Sequence, residues 1–329
     1  MTNRDVPLDT VSAATGGGRP VSDARVLVLG QLSPEIAQAI GGRYAVETYR
    51  PPRRPVAADM LGKVEAVVLR SPYEVGPREL AFLPSLRVVV RAGSGLEGID
   101  VDALRGRCIA FHRIQGDGAG VAELAFALLL NHLRDVGNLQ ASLQQGQWRK
   151  AEACGRQIGG KTLGIVGLGE VGRKIAAIAS AGFDARVIFS DPSPQKPPKA
   201  SAIRRHGLLR LDLDAVLAQS DYLFIACSLT PQTRGLIDAD RLGRMKPDCV
   251  IVNVARGELL DEAAVLAALD NDRLGGACLD VFRSEPSPRL DLLRHPRVTA
   301  TPHIGAQTRE TMAAIGMNVL ETLSQYLDP

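Results

Sequence analysis

The apolar run Leu163 to Val166 leads directly into Gly167-Leu168-Gly169-Glu170-Val171-Gly172. An amphipathic stretch from Lys174 to Ala181 follows, and Asp191 stands about twenty residues further on. This order reads as strand, glycine turn, helix and acid, the fingerprint of a βαβ unit that binds a dinucleotide. Gly167 makes the tight turn, Gly169 lets backbone amides approach a pyrophosphate, and Gly172 allows the helix to lie close on the strand. Phosphate charge at that turn would meet the positive end of a helix.

A chain of 329 residues exceeds the usual span of one hydrophobic core, so two domains are expected. Between Arg25 and Phe111, β-rich runs at Val26 to Leu29, Tyr44 to Thr48, Ala66 to Leu69, Arg87 to Val90 and Cys108 to Phe111 alternate with helical or loop segments. The rhythm returns at Leu163 to Val166, Arg186 to Phe189, Tyr222 to Ala226, Val250 to Val254, Ala277 to Asp280 and Val298 to Ala300. Alternation of this kind predicts parallel sheets covered by helices, hence an α/β chain with two Rossmann- or flavodoxin-like domains. Between them Val121 to Gln145 reads as one long helix, apolar on nearly every side at its start; a core position, a hinge and a dimer contact all fit it. A final helix, Gln307 to Tyr326, is too short to fold alone and is expected to pack back on the first domain, making that domain discontinuous. The expected division is a disordered tail over 1–24, a substrate domain over 25–119 and 305–329, and a dinucleotide domain over 120–304.

Composition removes several function classes. The 39 basic and 36 acidic residues leave a net charge of +3, too small and dispersed for a nucleic-acid surface, and aromatics for stacking are few. No apolar run approaches the roughly 20 residues that span a bilayer, and the Thr-, Ser- and Gly-containing start lacks a hydrophobic signal core, so a cytoplasmic protein is expected. Cys108, Cys154, Cys227, Cys249 and Cys278 are scattered and fall mostly in strand-like runs, which predicts neither disulfides nor a metal site. The five histidines show no helical ligand spacing, leaving zinc catalysis without support.

Three blocks beyond the glycine turn carry chemistry: Val252 to Glu258 around Arg256, Leu279 to Pro286 with Asp280 and Glu285, and Thr301 to Ala306 around His303. Each sets a titratable or charged residue just past a predicted strand, and the carboxyl ends of strands border the ligand crevice of an open α/β sheet. A fixed guanidinium can hold a carboxylate by two parallel hydrogen bonds and stabilise the oxygen charge that develops when hydride adds to a ketone. A histidine exchanges a proton near neutrality, and a neighbouring carboxylate orients it and favours its charged form. Taken singly, each of these residues reads as a solvated charge or a cap. Glu123 reads as a favourable helix-start charge, and His112, His132, His206 and His295 have no motif around them.

With these four ordered motifs the chain resembles the D-isomer-specific 2-hydroxyacid dehydrogenase family from Arg25 to its C-terminus. The resemblance implies NAD-dependent interconversion of a 2-oxo acid and a D-2-hydroxy acid. Arg256 then binds the carboxylate and carbonyl, His303 is the general acid/base and Glu285 pairs with it. It also implies a substrate loop at Arg91-Ala92-Gly93-Ser94-Gly95, with amides near Ser94 and Gly95 holding the carboxylate. The implied cofactor set is Gly167, Gly169, Glu170, Val171, Gly172, Asp191, Cys227, Ser228, Val254 and Asp280, with Asp280 at the nicotinamide carboxamide and Cys227 equally well explained as a buried thiol. Asp191 can accept from ribose hydroxyls and repel a 2′-phosphate, favouring NAD over NADP, with Lys196, Lys199, Arg204 and Arg205 nearby.

Departures from the family pattern fall outside the trio: Glu97-Gly98 where relatives commonly show Asp-Asn, and Asp117 for a frequent Asn. They bear on substrate identity more than on reaction type. Arg70-Ser71 is similar to the phosphoglycerate branch, where a basic side chain faces an anionic tail, and that similarity extends the substrate class to phosphorylated or doubly anionic acids. A C-terminal serine-sensing domain is expected to be absent, and a homodimer through the long helix is expected. The alternative reading is a sensor of NAD(H) with incidental turnover.

Overall fold

Val26–Leu29, Ala66–Leu69 and Val88–Val90 are apolar at every position, the pattern of strands covered on both faces, and each is wholly buried. The structure, a computed structural model, describes residues 22–30, 32, 34–49, 58–70, 73–93, 95–96 and 98–328. These residues divide into two units, one running through Gly116 and resuming at Thr308, the other Asp117–Gln307. The expected boundaries lay a few residues away, at 119/120 and 304/305. Most of the expected tail, through residue 21, lies outside the described residues.

The first unit holds five strands, β1 (Arg25–Leu29), β2 (Ala45–Tyr49), β3 (Val64–Leu69), β4 (Val88–Ala92) and β5 (Ala110–Ile114). They form a parallel sheet in the order β2-β1-β3-β4-β5. The helix Arg309–Leu327 buries Met312, Ile315, Val319 and Leu323 and packs on β3, β4 and β5, so the unit is discontinuous in sequence.

The second unit holds β6 (Thr162–Val166), β7 (Arg186–Ser190), β8 (Leu209–Arg210), β9 (Tyr222–Ile225), β10 (Val250–Asn253), β11 (Gly276–Leu279) and β12 (Val298–Ala300). Its parallel order is β12-β11-β10-β9-β6-β7-β8, which reverses direction between β6 and β9. Such a reversal opens a crevice at the carboxyl ends of the strands, where Gly167 and Cys227 emerge. One core lies under the helices Ala119–Arg134 and Glu170–Phe183; another, on Ile225, Ile251 and Leu279, lies under Leu213–Gln219 and Glu262–Asp270.

Three expectations are corrected. The single helix Val121 to Gln145 is two, Ala119–Arg134 and Val136–Gln144, broken at Asp135 with φ +51°. The break is held locally, since Asn131 Oδ1 accepts from the Gly137 amide and Asn138 Nδ2 donates to Asp135 Oδ1. Cys108 and Cys154 are exposed, and Cys108 precedes β5 with φ +56° instead of lying in it. The exposed two-residue β8, too short for a periodic pattern, lies outside the expected strands. No described helix is long and apolar enough to cross a membrane.

Candidate active site

β10, β11 and β12 are neighbours in register, with Asn253 beside Leu279 and Leu279 beside Ala300. The three chemistry-bearing blocks therefore leave one edge of one sheet side by side, although about fifty residues separate the first from the last. The ladder continues into the loops, where the Asp280 amide donates to Asn253 and the Thr301 amide to Leu279.

His303 follows β12 with φ +54°, a left-handed conformation that costs a non-glycine residue on the order of 1–2 kcal/mol. Asp280 supplies the bonds that hold it there. Its carboxylate is buried; Oδ1 accepts from Thr301 Oγ1 at 2.6 Å and the Ile304 amide at 2.8 Å, and Oδ2 from the Gly305 amide at 2.9 Å. The Asp280 carbonyl also accepts from the His303 amide at 2.8 Å. Asp280 thus grips the histidine on both chain sides, a task that the resemblance did not imply.

The ring meets its partner directly: His303 Nδ1 lies 2.8 Å from Glu285 Oε2, with the two side chains 43% and 35% exposed. Glu285 Oε1 accepts from the Phe282 amide at 2.9 Å. Burial alone would raise the Glu285 carboxyl. The bonds from His303 and Phe282, with the charges of His303 and Arg256, outweigh it and hold the group below its ordinary value. A carboxylate that stays ionised on Nδ1 leaves Nε2 as the nitrogen available to a reacting oxygen.

Arg256 belongs to this electrostatic group, since its charge acts on Glu285. It ends a turn closed by Asn253, whose Nδ2 donates to the Arg256 carbonyl and whose Oδ1 accepts from the Ala255 amide. Arg256 Nη1 donates to the Ala255 carbonyl at 2.6 Å. The next residue explains the approach: a Cβ on Gly257 would fall 1.9 Å from the carbonyl carbon of Phe282, so only glycine lets the β10 loop lie against the β11 loop. Glu262, buried, closes the same seam by accepting from the Arg283 amide at 2.6 Å. Sequence reasoning missed Glu262, because an acid in the first turn of the helix Glu262–Asp270 reads as a dipole partner.

The glycine turn is built for an anion at the other side of the crevice. Gly167 has φ +94° and abuts Cys227, whose Cα would lie 2.6 Å from an added Cβ; Gly172 lies against the Gly167 carbonyl, 2.1 Å from the same probe. At Gly169 nothing stands closer than the Ala226 carbonyl at 3.9 Å, so the backbone there is open to a ligand, at the start of the helix Glu170–Phe183. Those residues fit a dinucleotide pyrophosphate. Glu170 is exposed, Val171 half-buried and Val254 buried. Burial pushes the Cys227 thiol up to about 11, so it is a neutral wall against Gly167, and Ser228 is exposed beside it. Asp191 ends β7, buried, and accepts from the Leu168 amide at 2.8 Å.

The remaining expected residues lie in the first unit. Gly95 is buried after β4, while Ser94, Ser71 and Glu97 lie outside the described residues. Arg70, just past β3, is half-buried, and burial lowers its guanidinium from the ordinary value. Its Nη1 donates to Met312 Sδ at 3.4 Å, a weak acceptor.

Residues 126–305 match the family model described as D-isomer specific 2-hydroxyacid dehydrogenase, NAD binding domain. The chain is 36% identical over 299 residues to a D-3-phosphoglycerate dehydrogenase of Mycobacterium tuberculosis, covering 91% of this chain and 56% of that protein. It therefore spans little more than half the length of such relatives. A hydroxypyruvate reductase of Thermotoga maritima is 34% identical over 272 residues, with 82% of this chain and 86% of that one covered. Among solved structures, an NADPH-dependent glyoxylate/hydroxypyruvate reductase of Sinorhizobium meliloti, in complex with NADP and malonate, superposes with a TM-score of 0.80 at 29% identity. That match covers 93% of this chain and 94% of that one.

Proposed function

The chain belongs to the D-isomer specific 2-hydroxyacid dehydrogenase family, and on that premise we propose that it interconverts a 2-oxo acid and a D-2-hydroxy acid with NAD(H) through Arg256, Glu285 and His303. The observation that carries this reading is the 2.8 Å bond between His303 and Glu285 on the strand edge that also bears Arg256.

Gly167, Gly169, Glu170, Val171 and Gly172 would cradle the pyrophosphate, with Asp191 at the ribose and Cys227, Ser228, Val254 and Asp280 along the rest of the dinucleotide. When bound, the reduced nicotinamide supplies the hydride. The protein's own groups do the rest. The Arg256 guanidinium holds the substrate carboxylate and carbonyl oxygen and stabilises the charge that gathers on that oxygen. His303 gives the oxygen a proton from Nε2 while Glu285 keeps the ring oriented through Nδ1; in the reverse direction neutral Nε2 takes the hydroxyl proton. Asp280 serves first as the brace of the His303 turn, with oxygens already bonded to Thr301, Ile304 and Gly305.

Ser94, Gly95 and Arg70 are the substrate-binding residues this reading assigns to the first unit. Arg70 favours a substrate with a second anionic group, because a half-buried guanidinium resting on a thioether gains from a stronger acceptor. The name of the mycobacterial relative, a D-3-phosphoglycerate dehydrogenase, points the same way. Exposed Val136, Leu143 and Trp148, on and just after the helix Val136–Gln144, support a homodimer through this arm.

The test is NADH absorbance with purified protein against glyoxylate, hydroxypyruvate, 3-phosphohydroxypyruvate and bulky 2-oxo acids. Consumption with at least one is expected, with the doubly anionic substrate preferred. NADH that binds but is consumed with none would make the protein a sensor.

A further inference from the structure

The acid at the end of β7 does not stand alone. Lys199, in the helix Pro197–His206, places Nζ 2.5 Å from Asp191 Oδ1, and the pair is sheltered, with side chains 16% and 5% exposed. The same Oδ1 accepts from the Ser193 amide at 2.7 Å, and Oδ2 from the Leu168 amide at 2.8 Å. Arg210 Nη2 lies 3.5 Å from the Asp191 carbonyl, adding a second cation at the same strand end.

We propose that Lys199 sets the dinucleotide preference by neutralising Asp191, so that the site accepts a 2′-phosphorylated dinucleotide as well as an unphosphorylated one. This rests on the reading of the Gly167–Gly172 turn as a dinucleotide site. A lone carboxylate at the ribose end discriminates by charge: it accepts from the ribose hydroxyls and repels a phosphate that carries nearly two negative charges. A lysine at contact distance cancels that field, and its flexible stem can turn the ammonium from Asp191 to a phosphate. The unphosphorylated ribose is not shut out. An ionised carboxylate offers about four acceptor positions, and the three donors on Asp191 leave room for a hydroxyl. The pairing also explains why an acid so deeply placed remains ionised: burial pushes it up, and the Lys199 bond, the two amides and the Lys199 charge overcome that push.

Dissociation constants for NADH and NADPH, read from nicotinamide fluorescence without substrate, test the assignment separately from turnover. In the unaltered protein the two should differ by no more than about tenfold. Lys199→Met should widen the gap at least about tenfold, by weakening NADPH and leaving NADH within about threefold, and Lys199→Arg should restore the original ratio. A preference for NADH beyond about a thousandfold in the unaltered protein overturns the proposal even if no variant folds, and so does an unchanged ratio in Lys199→Met. Failure of both dinucleotides to bind removes the underlying reading of the glycine turn, and the proposal with it.

Discussion

At the amino ends of β10, β11 and β12 the arginines reach backbone carbonyls: Arg156 donates to the Asp248 carbonyl at 2.9 Å, and Arg297 to Leu274 at 3.2 Å and to Leu269, with exposed Asp272 3.0 Å from the same Arg297 guanidinium. His132 lies there too, against Gly276, where an added Cβ would come within 2.1 Å of its Nε2, and its Nδ1 is 3.5 Å from Thr299 Oγ1. At the carboxyl ends of the same strands, Glu285 and His303 bond to each other and stay partly open to solvent, with Arg256 close enough to act on Glu285. Arginine, histidine and acid occur at both ends. What separates a fold-supporting group from a candidate catalytic one is how its partner is held: backbone carbonyls, a glycine surface and the exposed acids Asp270 and Asp272 at one end, a carboxylate anchored by the Phe282 amide at the other.

The largest effect expected from this contrast is on turnover. His303→Ala should lower the rate with the preferred 2-oxo acid by about two to four orders of magnitude while NADH still binds, as loss of a general acid would. His132→Gln should leave the rate within about threefold near neutral pH, because its ring lies at the far end of the strands. Equal losses in the two variants would erase the distinction between the two ends. A smaller loss, about a hundredfold, is expected for Gly257→Ala, whose new methyl must drive the Arg256 turn away from Phe282 and Arg283. Steady-state kinetics beside a normal far-UV spectrum would show it; a variant with unchanged kcat/KM would mean that Arg256 tolerates displacement from Glu285.

Much of this contrast was legible before any coordinates, and the part that was not has a physical reason. The apolar runs 250–252 and 277–279 announce buried parallel strands, the shorter Val298–Ala300 repeats the strand rhythm beside them, and residues just past such strands lie on one edge. That places Arg256, Glu285 and His303 together without a distance. The supporting contacts leave no such trace: Glu262 reaches the Arg283 amide 21 residues away, and Asp280 spends its oxygens on Thr301, Ile304 and Gly305. Neither pairing has a period or motif; each depends on how two loops lie against each other. Asp135 escaped for a different reason, since helical periodicity continues across it while its own backbone turns left-handed.

The gentlest test concerns the amino ends and reads stability instead of rate. Burial first, then the charge of Arg156, lowers the His132 pKa from 6.5, against opposing contributions from the Gly275 backbone bond and Asp135, with Arg297 adding to the depression. The folded ring therefore stays neutral in a range where the unfolded chain takes up a proton. Because the unfolded state binds more protons there, His132 costs no stability above about pH 6.5 and an increasing amount as pH falls below it, levelling off below the depressed folded value. The slope from one such group is at most about 1.4 kcal/mol per pH unit, which moves the thermal midpoint of a unit this size by about 3–6 °C. His132→Gln should remove that component, so the difference in midpoint between the unaltered protein and the variant should shrink or reverse on acidification from neutral pH. Parallel midpoint curves across that interval would show that His132 titrates in the folded protein as it does in the open chain, and that the amino-end histidine is not sheltered as the contrast requires.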